Sequence, residues 1–143
     1  MTAKEYLYQA KNLDDYINSK TVELSQLRSK IRNISAVKYD GINVKSSNRH
    51  DFTDAVNSLI KLENNINKDI DRLVDLKAEI ARMIDQLNDN RYKAVLTRYY
   101  LNNEKFDDIA KDMKYSFRQT LRLHSYALEE FRKIYSKMAH NVI

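Results

Sequence analysis

Residues 106–134, FDDIAKDMKYSFRQTLRLHSYALEEFRKI, decide how the chain is read. The stretch reads as a short amphipathic helix, a break, and a longer basic helix. Ile109, Met113, Tyr115, Thr120 and Leu123 fall where a helix-turn-helix needs its inward positions, and Ala110 is small where the two helices cross. Such a unit holds its second helix rigid enough to enter the major groove of DNA. Ser116 is placed to cap that helix, its hydroxyl accepting an orphan backbone N–H. Arg118, Gln119 and Arg122 follow on the face opposite Thr120 and Leu123, as donors for phosphates and base edges. Lys111 and Lys114 flank the same face and suit the sugar-phosphate backbone. His124 fits either a phosphate contact or a hydrogen-bonded place in the core. An ordinary helical hairpin with a solvated charged face has the same spacing. A helix-turn-helix usually carries Gly in its turn, where one residue adopts positive φ. Lys114 holds that place here and reaches it only at a steric cost.

The rest of the chain bounds the fold class. Its 143 residues contain no Pro, no Cys and one Gly, Gly41. This excludes a Gly-rich phosphate loop, a disulfide framework and thiolate chemistry, and leaves helices to carry nearly everything. No apolar run approaches twenty residues and no signal sequence is visible, so a soluble, cytoplasmic protein, away from membranes, is expected. The net charge of +5 is unevenly spread: residues 1–50 carry nine Lys/Arg against five Asp/Glu, residues 51–90 five against nine, and residues 91–143 eleven against six. The last segment is basic in its own right, as a phosphate-binding module is.

Two long seven-residue repeats precede it. Thr2 and Glu5 form a capping-box pattern. Ala3, Ala10, Ile17, Leu24 and Ile31 make one row, and Tyr6, Leu13, Lys20, Leu27 and Ile34 the other, broken only at Lys20. After a polar stretch, residues 35–50, a second helix is expected from a cap at Asp51 to about Asn88. Phe52, Leu59, Ile66, Leu73, Ile80 and Leu87 line it, with Ala55, Leu62, Leu76 and Met83 beside them and Val56, Ile70 and Ile84 widening the stripe. Two such seams bury each other most simply as an antiparallel coiled-coil-like hairpin, although pairing between chains as a homodimer satisfies the same pattern. With Ile34 opposite Phe52, the seam-breaking Lys20 and Asp69 come within about one turn of each other. Asp89 is then expected to cap a third helix over residues 91–101, with Tyr92, Val95, Leu96 and Tyr99 inward. The basic helix is expected to continue through Tyr126, Leu128, Phe131 and Ile134.

Residues 92–134, YKAVLTRYYLNNEKFDDIAKDMKYSFRQTLRLHSYALEEFRKI, resemble the fourth region of bacterial sigma factors, in which "LRY-L", "-IA--M" and "AL-E" follow in that order. Over nearly its full length the chain is similar to phage late-gene transcription regulators of the ArpU/RinA-like group. There the resemblance lies in MTAKEYL-QA, in the stretch from Asn67 to Lys77, and in Tyr115, Ser116, Arg122, Leu123, His124, Ala127 and Leu128. The resemblance implies a sequence-specific regulator that binds double-stranded promoter DNA and activates late genes, with host RNA polymerase as second partner. Lys114 and the segment Phe117-Arg118-Gln119-Thr120 depart from the relatives, which bears on the operator sequence.

The expected architecture is therefore all-α: a long antiparallel hairpin over residues 1–88, then a small helix-turn-helix domain resembling sigma region four over residues 89–143. Its DNA-binding set is Lys111, Lys114, Ser116, Arg118, Gln119, Arg122 and His124. Enzymatic readings are poor. His50, His124 and His140 are far apart and lack Cys partners; Asp71, Asp75 and Glu79 form a solvated stripe rather than a metal site. No nucleophile has a base nearby, and no cofactor is expected. Tyr99 and Tyr100 could stack on bases, but tyrosines at helical spacing usually belong to a core. Two other classes remain beside the regulator: a sigma-like module that binds only polymerase or another regulator, and a structural coiled-coil component.

Overall fold

The chain enters its first helix through a reciprocal cap. The Glu5 N–H donates to Thr2 Oγ1 (3.1 Å), and the Thr2 N–H donates to Glu5 Oε2 (3.0 Å). The computed structural model describes residues 1–39 and 46–140, which contain no strand. Their α-helices are α1 (Ala3–Tyr39), α2 (Ser46–Ile84), α3 (Asn90–Leu96), α4 (Phe106–Met113) and α5 (Phe117–His140), with a π-helical stretch, Thr97–Leu101, after α3.

The heptads do the burying they were expected to do. Ala3, Ala10, Ile17 and Leu24 are buried on α1, and Tyr6, Leu13, Lys20, Leu27 and Ile34 are half-buried beside them. On α2, Ala55, Ile66, Leu73, Ile80, Met83 and Ile84 are buried, but Ile70 is exposed and does not widen the stripe. Each fully buried Leu or Ile contributes about 1.5–3 kcal/mol, so these rows outweigh any surface ion pair.

The helix limits differ from expectation. α1 runs on to Tyr39 and α2 begins at Ser46, so Asp51 is an interior helical residue rather than a cap. No Pro or Gly stands at residues 35–39 to stop α1, and the helix runs through. The remainder of the expected loop, residues 40–45 with Gly41, lies outside the described residues. α2 stops at Ile84, four residues early. Gln86 and Leu87 donate to Met83 and Ile84 (3.1 and 3.0 Å), a tightened last turn that keeps Leu87 buried.

The described chain divides into two compact units: Met1–Leu13 with Leu73–Ile143, and Asp14–Arg72. The expected division at residues 88/89 falls inside the first of these. In the second unit, Arg28 on α1 donates to Glu63 on α2 at 2.9 Å. Lys20 pairs with Glu23 (3.0 Å) and Asp69 with Arg72 (3.6 Å), so the two seam-breaking residues each take a partner on their own helix. Glu23 chiefly raises the Lys20 pKa, and Asp69 lies close enough to add to it.

In the first unit, the N-terminal turns of α1 pack with the C-terminal helices. Leu7 and Ala10 are fully buried. Lys11 Nζ donates to the Tyr99 carbonyl (2.9 Å) and sits 4.1 Å from the centre of the Tyr99 ring. Asp89 caps α3 as expected, accepting from the Arg91 N–H at 2.8 Å. The third helix is not regular to residue 101, because the Asn102 N–H reaches back five residues to the Thr97 carbonyl (3.0 Å). That wide turn rotates the following side chains, so Tyr100 is the fully buried tyrosine and Tyr99, expected inward, is half-buried.

α4 and α5 are joined by three residues. Lys114 takes the left-handed conformation (φ 60°, ψ 39°), as its place in the turn requires. The Tyr115 N–H donates to the Ala110 carbonyl (2.9 Å) and the Lys114 N–H to the Lys111 carbonyl (3.2 Å). This is the bond pair that closes a helix when its terminal residue is left-handed. A side chain at that φ costs about 1–2 kcal/mol. Lys114→Gly is therefore expected to stabilise the fold by up to about 1 kcal/mol, after allowing for the looser unfolded chain. Urea unfolding checks this, and a loss of stability would mean that the lysine stem makes up the backbone cost.

Candidate nucleic-acid interface

The face that α5 turns to solvent follows from what it buries. Thr120, Leu123, His124, Ala127 and Phe131 are buried, which places Arg118 and Arg122 on the opposite side, one turn apart. The helix starts at a second reciprocal cap: the Gln119 N–H donates to Ser116 Oγ (3.1 Å), and the Ser116 N–H donates to Gln119 Oε1 (3.0 Å). Thr120 Oγ1 also donates to the Ser116 carbonyl (3.0 Å), fixing the first turn from inside.

Six of the seven sequence-nominated residues are exposed: Lys111, Lys114, Ser116, Arg118, Gln119 and Arg122. Two of these have structural duties. Ser116 is the cap. Gln119 completes it, and the adenine-reading geometry needs both the amide oxygen and the amide nitrogen. While the cap stands, one lone pair of the Gln119 amide oxygen is already used by the Ser116 N–H. The four cations have no carboxylate partner among the described residues. Of the nearby acids, Asp112 accepts from Arg98 (3.0 Å), Glu129 from Arg132 and Glu130 from Lys133 (3.0 Å), while Asp107 and Asp108 stand exposed in the first turn of α4.

His124 is not part of this surface. It is 8% exposed, and its Nε2 lies 2.8 Å from the Tyr100 hydroxyl, either atom donating according to tautomer. Helical periodicity from Thr120 requires this, since residue 124 shares the inward row. Its ring stands edge-on to Phe106 (5.0 Å) and Tyr99 (5.5 Å), while Tyr99 stacks on Phe106 at 4.0 Å. Burial, and next the Lys4 charge, pushes the imidazole down to about 4. An unfolded His titrates near 6.5, so between these values the unfolded chain binds a proton that the native state refuses. Stability is expected to fall by about 2–3 kcal/mol as the pH drops from about 6.5 to about 4, and this contribution levels off below. Urea unfolding at about pH 7 and about pH 4.5 measures it. His124→Gln, which keeps a polar partner for Tyr100, is expected to remove that part of the slope.

Beside the cationic row lie residues that the sequence did not nominate for a site. Tyr126, through which the basic helix continues as expected, is 61% exposed. With Arg91, Tyr92, Tyr115, Gln119 and Arg122 it lines a groove of about 300 Å³ between α3 and α5. Asp89 holds the Arg91 guanidinium by two bonds (2.8 and 3.2 Å) at its edge. Phe117 and Leu121 are 49% and 38% exposed. Their four-residue spacing, parallel to that of Arg118 and Arg122, was the available signal.

Among the described residues, no three His, Asp or Glu gather as metal ligands do, and no helix is long and apolar enough to cross a membrane. No curated protein and no solved structure is significantly similar to the chain. A family model described as a protein of unknown function, DUF1492, matches residues 33–132, from the end of α1 through most of α5. With that much of its length inside the match, the chain belongs to the DUF1492 family.

Proposed function

We propose that the protein is a sequence-specific DNA-binding transcription regulator, that α4 and α5 act as its helix-turn-helix, and that it has no enzymatic activity. One observation carries this reading: α5 is held by a reciprocal cap and a buried row so that Arg118 and Arg122 face solvent with no ion-pair partner among the described residues, and Lys111 and Lys114 lie at the turn before it. Fixed guanidinium groups on the outer side of a helix suit phosphate oxygens and guanine edges. The resemblance of residues 92–134 to sigma region four supports the same class, and the wider resemblance supplies a phage late-gene promoter, a bacterial cytoplasm and host RNA polymerase as second partner. The Arg28–Glu63 ion pair, and the influence of Asp69 on Lys20, support reading α1 and α2 as an antiparallel coiled-coil hairpin. In this reading the hairpin docks polymerase or a second copy of the chain.

Fluorescence anisotropy of labelled duplex DNA tests the proposal. Binding is expected to weaken linearly in log K with log salt, with a slope near −0.9 per phosphate contacted. A protein that binds no duplex at low salt but co-purifies with polymerase is instead a polymerase-docking module. The exposed Phe117 and Leu121 are the features that favour this second reading.

A further inference from the structure

On the assumption that α5 enters the major groove, we infer that Phe117 and Leu121 read thymine through its 5-methyl group and are specificity-determining residues. Three observations lead there. The amide oxygen of Gln119 accepts from the Ser116 N–H at 3.0 Å, so the residue best suited by chemistry to recognise adenine is drawn back onto its own helix start with one lone pair of that oxygen already used. The other distinctive major-groove feature of an A·T pair is the thymine methyl, which apolar side chains contact.

The second observation is that Phe117 and Leu121 remain 49% and 38% exposed. A single exposed apolar residue is unremarkable. Here two large ones stand one turn apart in a row adjoining Arg118 and Arg122. The third is charge. Arg118 and Arg122 have no ion-pair partner among the described residues, and the nearby Asp112 and Glu129 are paired with Arg98 (3.0 Å) and Arg132. A polyanion therefore fits the apolar row and its surroundings together better than an apolar protein surface does. Four helical residues advance about 6 Å, roughly two base-pair steps, so the two side chains address thymines no more than about two steps apart.

The test starts from duplexes that the wild-type protein selects from a random pool. Thymine is replaced by uracil one position at a time, which removes only the methyl group. Affinity is expected to fall about fourfold at one or two nearby positions, the effect of one buried methyl-sized group. In Phe117→Ala/Leu121→Ala, with folding confirmed by circular dichroism, the uracil penalty is expected to disappear. Wild-type binding that ignores uracil at every position overturns the inference and leaves the DNA-binding function standing. So does a double variant that keeps the uracil penalty and loses polymerase binding instead. Failure to bind any duplex in a salt-dependent way overturns both.

Discussion

Arg118→Ala/Arg122→Ala is expected to lower affinity for a selected duplex by about 2–6 kcal/mol, at least about thirtyfold, while the fold stays intact. The range depends on whether the two guanidinium groups meet bases or phosphates. Phosphate contacts give the low end, and their loss reduces the steepness of the salt dependence by roughly two units. Base contacts give the high end and relax sequence preference with little change in slope. Stability is expected to hold because both residues are exposed and neither has an ion-pair partner among the described residues. Anisotropy over a salt series, with urea unfolding of the same preparation, measures both. A double variant that binds as wild type would remove α5 as the reading element.

Tyr100→Ala is expected to destabilise the protein by about 3–5 kcal/mol, the largest single loss among these changes. Tyr100 is completely buried and bonds His124, and its ring meets Tyr8, Tyr99 and His124 within 5.6 Å. Burial, with lesser contributions from Tyr8 and Tyr99, raises its phenol pKa well above the ordinary tyrosine value, so the ring stays neutral. Tyr100→Phe isolates the polar part: the packing survives, His124 Nε2 loses its partner, and about 1–3 kcal/mol is expected to go. Chemical unfolding distinguishes the two variants. Near-equal losses would place the weight on the hydrogen bond rather than on the ring.

Much of this molecule was legible because one physical rule, helical periodicity, governs nearly all of it. The rows from Ala3 to Leu24 and from Ile66 to Leu87, the caps at Thr2, Asp89 and Ser116, and the inward set Ile109, Ala110, Thr120 and Leu123 follow from spacing and hydrogen-bonding capacity. The failures lie where that rule changes locally. Five-residue hydrogen bonding at Thr97–Leu101 turns Tyr100 fully inward and leaves Tyr99 half-buried, and nothing in a list of residues marks where a helix widens. The helix start at Ser46 is hidden because a polar run reads as loop, although Ser and Asn are also residues that open helices. Of the candidate site, exposure was readable for Arg118 and Arg122. The engagement of Gln119 in the cap could have been read from its three-residue distance to Ser116, whereas the burial of His124 needed its tyrosine partner to be seen.

The bond from Lys11 to the Tyr99 carbonyl has a practical corollary. A fragment starting at residue 89 would include every side chain nominated for DNA and still lack Tyr8 and Lys11, which close over its tyrosines. Such a truncation exposes aromatic surface and should precipitate or swell. The smallest excisable reading head is thus a discontinuous one, needing the first turns of the opening helix stitched back to its tail.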